Sequence, residues 1–136
     1  MEDTEFPNFN WIDLNNNSYT KENTKGKFIV LKFWYLTCKV CIQEIPVLND
    51  LMQTYANRED ILFISLAWDS IDELKKFIRK NNFNYQIVAN QKNFLNNKLQ
   101  VPSYPLHVFI DKNGKIKKVV TSAEDIIDVV NAELNK

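Results

Sequence analysis

The order of strand and helix signals along this chain predicts an α/β fold, a mixed central sheet flanked by helices, and three observations carry that prediction. Phe28 to Tyr35 is apolar except at Lys32, as expected of a strand covered on both faces. Ile61 to Trp68 is a second run of the same kind, and an amphipathic helical stretch separates the two, which is the alternation of a βαβ unit. Leu106 to Ile110 and Ile116 to Val120 flank the turn signal Lys112-Asn113-Gly114, so the last two strands pair antiparallel and make the sheet mixed.

Taken in order, Phe9 to Leu14, the asparagine cluster Asn15-Asn16-Asn17 and Ser18-Tyr19 read as an amino-terminal hairpin. After the first core strand a helix begins near Cys38. Cys41, Ile45, Leu48, Met52 and Tyr55 recur at three- and four-residue steps along one face of it, and Pro46, inside the helix, removes one hydrogen bond and kinks it. Ser70 with Glu73 forms a capping box ahead of Ile71, Leu74, Phe77 and Ile78. A short strand near Tyr85 to Val88 and a short helix near Gln91 to Leu99 complete a central helix–strand insertion. Ser122 and Asp125 cap a final helix with Ile126, Ile127, Val130 and Leu134 turned inward.

The 136 residues suit one domain, 1–136, able to bury a core without metal or disulfide staples. Lysine plus arginine balances aspartate plus glutamate, so the chain carries no electrostatic footprint for nucleic acid or an anionic membrane. The amino terminus is acidic and lacks the apolar run of a signal peptide, and no stretch of about 18 apolar residues spans a bilayer. Two compartments stay open: the cytoplasm, or an extracytoplasmic space if an export signal has been removed.

The two cysteines stand three positions apart where a buried strand meets a helix. Unpaired N–H groups and a partial positive charge at a helix start stabilise a thiolate, the species that attacks disulfides. Cys38 would attack and Cys41 would resolve the mixed disulfide. A zinc site needs four ligands, and besides this pair the soft donors offer only His107. Covalent haem attachment needs histidine where Ile42 stands. Two buried structural thiols are the bland alternative.

The stretch Phe33-Trp34-Tyr35-Leu36-Thr37-Cys38-Lys39-Val40-Cys41-Ile42-Gln43-Glu44-Ile45-Pro46 resembles the active-site segment of thioredoxin-like reductases of the TlpA and ResA-like, AhpC/TSA-related group. The amino-terminal hairpin, Gly26-Lys27 and Val101 to Asp111 followed by Asn113-Gly114 extend the resemblance over essentially the whole chain. It implies a thioredoxin-like fold and a thiol–disulfide oxidoreductase with no cofactor beyond its redox-active disulfide. It also implies a monomer that exchanges with protein thiols and disulfides and draws electrons from an upstream thiol donor. Pro105 would be a cis-proline beside the disulfide, with Tyr104 offering its backbone to substrate and Pro102 the weaker candidate for that place. Trp34 matches the aromatic flanking the site, or is a core residue of its strand. Glu44 matches the acidic residue that could relay a proton for Cys41, or is an exposed helix glutamate. His107 reads as a hydrogen-bonded strand residue.

Val40 replaces a common proline, Thr37 a tryptophan, and Lys32 a buried aspartate or asparagine. A buried ammonium is costly unless paired, so a Lys32–Glu44 interaction near Cys41 is expected, the alternative being that Lys32 reaches out to solvent. Two other functions fit the residues less well. A peroxiredoxin-like peroxide reductase wants a threonine three residues before its cysteine and a nearby arginine, and only Arg58 and Arg79 exist. A copper-handling or non-catalytic binding module wants wider cysteine spacing and a better-placed histidine than His107.

Overall fold

The computed structural model describes residues 1–136. Strands β1 (Asn10–Ile12) and β2 (Ser18–Thr20) pair antiparallel as a separate hairpin. It is shorter than Phe9 to Leu14 promised, because Asp13 turns the chain, its carboxylate accepting from the Asn15 and Asn17 N–H groups. Next come β3 (Phe28–Trp34), α1 (Lys39–Gln43), α2 (Ile45–Thr54), β4 (Ile61–Ala67), α3 (Ile71–Ile78) and β5 (Gln86–Val88). A π-helical turn at Phe94–Lys98, β6 (Leu106–Ile110), β7 (Ile116–Val120) and α4 (Ala123–Leu134) complete the chain.

The five-stranded sheet has the order β5-β4-β3-β6-β7, with β3 parallel to β4 and antiparallel to β6. Both crossovers step the sheet in one direction, so right-handed connections put α2 and α3 on the same face. There Val30 and Trp34 pack with Leu48, Leu51, Leu74, Ile126 and Val130. The alternate residues Ile29, Leu31 and Phe33 point the other way, onto Phe6, Trp11 and Leu95 of the amino-terminal segment and the π-helical turn. This two-sided cover is why β3 is apolar nearly throughout.

The helix after Cys38 is interrupted at Glu44 and kinks there, as expected of Pro46, since Glu44 keeps helical dihedrals and bonds to the turns on either side. Pro46 has no N–H to give the Ile42 carbonyl, and α1 therefore ends at Gln43 while α2 restarts with Pro46 in its first turn. Glu44 sits at the kink, and the kink is what turns its side chain inward. Ser70 and Glu73 form the capping box of α3, and Ser122 caps α4 by accepting from the Asp125 N–H.

Candidate active site

The end of β3 delivers the chain to Cys38, which caps α1 and accepts from the Cys41 N–H at 3.3 Å. The two cysteines form a disulfide with their Cα atoms 5.2 Å apart. Cys38 retains 6% exposure, whereas Cys41 is wholly enclosed. The loop before them is pinned by Asp69, just beyond β4, whose Oδ2 accepts from the Leu36 N–H at 2.9 Å. Burial holds that carboxyl above its ordinary range.

Loops at this end of the sheet place an aromatic platform beside the disulfide. The rings of Tyr35 and Trp68 stack with centroids 4.1 Å apart, and Tyr104 meets both edge-on at 5.4 and 5.2 Å. Lys92 lies over the Trp68 ring at 4.7 Å. All three rings are half-buried, and the Tyr104 hydroxyl donates to Asn96 Oδ1. The Tyr104–Pro105 peptide bond is cis, and it leads directly into β6. Pro102 precedes it in an exposed loop.

Behind the cysteines, a polar row crosses the helix-covered face of the sheet. Register aligns Ser65 of β4, Lys32 of β3 and His107 of β6, and none of the three is exposed. Glu44 descends on this row from the helix kink. Its Oε2 accepts from Lys32 Nζ at 2.8 Å, and His107 Nε2 lies 3.0 and 3.2 Å from its two oxygens. Its Oε1 also accepts at 2.9 Å from the Ala123 N–H, the first of α4, where the helix dipole favours a carboxylate. Lys32 Nζ donates a further hydrogen bond, at 2.7 Å, to the Cys41 carbonyl. Lys32, Glu44 and the backbone of Cys41 are thus one hydrogen-bonded unit.

Burial disfavours charge at all three side chains, and the neighbours decide the outcome. For Lys32 and His107 burial dominates and lowers both below their ordinary values. For Glu44 burial pushes upward, but the hydrogen bonds and charge of His107 and Lys32 outweigh it and keep the carboxyl below its usual range. Glu44 is therefore a fixed anion.

The sequence candidates divide accordingly. Cys38, Cys41, Tyr104 and Pro105 come together at the sheet end, and Glu44 lies directly behind them. The expected Lys32–Glu44 contact is present, and Glu44 is not an exposed helix residue. Of the two readings of Trp34, the structure shows the core residue of its strand. It is wholly buried against Phe77 and Phe83, because its position in β3 faces the helix layer, and Tyr35 with Trp68 occupies the surface instead. Arg58 precedes β4 at the opposite end of the sheet, paired with Asp60, and is not brought to the cysteines. The site members that sequence reasoning missed are Trp68, Asp69, and His107 as a partner of Glu44. The clue for His107 was its place one strand over from Lys32 on the same face.

The sequence model of the AhpC/TSA family matches residues 3–119. The thiol-disulfide oxidoreductase ResA of Geobacillus thermodenitrificans is 31% identical over 124 residues, covering 88% of this chain and 71% of that protein. The thioredoxin-like protein YneN of Bacillus subtilis is 27% identical over 121 residues, with 88% and 71% covered. Among solved structures, the thioredoxin domain of a thiol-disulfide oxidoreductase from Bacteroides vulgatus superposes with a TM-score of 0.85 at 23% identity, covering 99% of each chain. The fold is thioredoxin-like.

Proposed function

The chain belongs to the AhpC/TSA family, and on that premise we propose a division of labour between its two cysteines: Cys38 attacks and Cys41 resolves. The protein is a thiol–disulfide oxidoreductase working through this pair. The observation that carries the assignment is the contrast in access, since only Cys38 keeps an edge open to solvent, at the start of α1.

In the reducing direction the Cys38 thiolate attacks one sulfur of a substrate disulfide, forms a mixed disulfide and releases the other sulfur as a thiolate. Cys41 then gives up its proton and attacks Cys38 Sγ. The Cys38–substrate bond breaks, the second substrate sulfur leaves, and Cys38–Cys41 is oxidised. Solvent protonates the departing thiolates. The backbone of Tyr104, with Pro105 behind it, is the edge along which an extended substrate segment docks, and the Tyr35–Trp68 rings receive its apolar side chains. Trp34 serves from below, as packing. Glu44 acts through its hold on Lys32 and so on the Cys41 carbonyl. Protein disulfides are the substrates, an upstream thiol protein restores the dithiol, and an oxidising extracytoplasmic compartment suits the chemistry.

Reduction of insulin disulfides coupled to dithiothreitol tests the activity, and trapping tests the assignment. Cys41→Ser should accumulate a mixed disulfide through Cys38, and Cys38→Ser should accumulate little. A stable adduct on the Cys38→Ser variant would reverse the order of attack.

A further inference from the structure

In the buried cluster behind the cysteines a histidine nitrogen has no partner, and the Tyr85 hydroxyl that senses the Glu44 charge has none either. Glu44, as an ionised carboxylate, only accepts hydrogen bonds, so a neutral His107 must carry its proton on Nε2, the nitrogen that faces Glu44. His107 Nδ1 is then a bare lone pair, fully buried and bonded to nothing. Buried polar atoms without partners are rare, and each calls for a reason.

Charge counting supplies one. The carboxylate at the centre of the cluster is fully engaged. Glu44 already receives Lys32, His107 and the Ala123 N–H, and two of the three Lys32 N–H donors go to Glu44 and the Cys41 carbonyl. Lys32 with Glu44 is neutral as a pair. One more proton makes the cluster positive, which burial opposes while the cysteines form a neutral disulfide. A thiolate at Cys41 removes that opposition, because the cluster's positive charge then has a counter-charge beside it.

We propose that His107 is a redox-linked proton site, its Nδ1 empty while Cys38–Cys41 is a disulfide and filled when Cys41 becomes a thiolate. The proposal rests on the resolving role given to Cys41. As Cys41 Sγ loses its proton to solvent, His107 Nδ1 takes one up from solvent, so the net charge around the new thiolate is unchanged. Cys41 attacks, the Cys38–substrate bond breaks, and the proton returns through solvent to the substrate thiolate. Atoms and electrons balance with no further reactant. His107 is a positioning residue in this scheme, acting through Lys32 and Glu44.

The groups that face it come from every neighbouring element. β3 supplies Lys32 beside it and, one strand further along the row, β4 supplies Ser65; the helix interruption supplies Glu44, and β7 pairs the apolar Val120 with His107. Tyr85, ahead of β5, has a buried hydroxyl held protonated by burial and by the Glu44 charge. At α4 only the Ala123 N–H faces inward, since the first-turn acids Glu124 and Asp125 are exposed.

His107 is the sole histidine of the chain, so its imidazole signals are unambiguous in NMR spectra of the unmodified protein. The oxidised protein should show the neutral Nε2–H tautomer from about pH 5 to 8, the window in which an ordinary imidazole titrates. Reduction by a phosphine, which needs no substrate, should raise the midpoint of protonation by about one pH unit or more. The same titration in both redox states, or an Nδ1–H tautomer in the oxidised protein, overturns the proposal. A second arm follows release of a small thiol from its mixed disulfide with Cys38. His107→Gln keeps a donor to Glu44 and removes the proton site. Release should slow about tenfold below pH 7 and approach the parent rate above about pH 8.5, where thiols ionise unaided. A pH-independent loss marks a packing role and overturns the proposal. Failure to reduce insulin disulfides would strike the parent reading instead, and the two failures are read separately.

Discussion

Exchanging Glu44 for glutamine removes the anion that balances a completely buried ammonium while keeping nearly the same volume. Lys32 then retains a bond to the Cys41 carbonyl but loses its charge partner. Breaking a buried ion pair from one side costs about 3–5 kcal/mol, because the remaining charge is left uncompensated. The amide oxygen can still accept from the Ala123 N–H, so the lower end, about 3 kcal/mol, applies. Lys32→Met should cost less, about 1–2 kcal/mol. It leaves Glu44 with His107 and the α4 amide, both already in place. In Lys32→Met/Glu44→Gln no charge remains to strand, so the double variant should be more stable than Glu44→Gln alone, with a coupling of about 2 kcal/mol. Urea unfolding of the oxidised proteins at pH 7, with matching m-values, measures all three. A loss below about 1 kcal/mol for Glu44→Gln, or additive single effects, would refute the claim that this pair carries its charges into the interior.

Two further outcomes follow from the same geometry. The stability of the oxidised protein should rise with pH from about 5 to 7, because the unfolded chain binds a proton near pH 6.5 that folded His107 refuses. The depressed Glu44 carboxyl adds a second loss as pH falls through about 4. Thermal melts across this range should show both phases, with His107→Gln lacking the upper one, and a flat midpoint between pH 5 and 7 would contradict the lowered His107. Trp68→Ala removes the ring stacked on Tyr35 at the rim. It should raise KM for protein disulfides several-fold while leaving reduction of a small aromatic-free disulfide unchanged, since base-level thiol chemistry does not touch that ring.

Much of this architecture is legible in the residue pattern because its determinants are local. The Ser70–Glu73 box and the Ser122 cap lie within four residues of the groups they satisfy, and β3 announces its burial by its composition. The Lys32–Glu44 pair could also be inferred, since a lysine inside a buried strand needs an acid and the helix that follows carries one. His107 could not be placed the same way. Its meeting with Lys32 depends on the register between strands far apart in sequence, and a one-residue slip would have turned it to the opposite face. Which reading of Trp34 holds was hidden for a related reason: strand parity decides which aromatic is covered, and composition does not reveal parity where both faces are apolar. The kink at Glu44 follows from Pro46, but the partners it brings that side chain to come from β3, β6 and α4 and are not local.

The helix kink also sets an order of assembly. Glu44 leaves the ribosome soon after Lys32, and β3, α2 and β4 can associate as a unit once β4 has been made. Its remaining partners, His107 on β6 and the first amide of α4, come from the last part of the chain to be synthesised. Until they dock, the carboxylate and ammonium sit at the open flank of a half-built sheet, where water still reaches them. Long-range pairing of this kind is slow to form, and exposed half-sheets invite aggregation. The polar centre beneath the mature site is thus completed last, when β6 and α4 close over it.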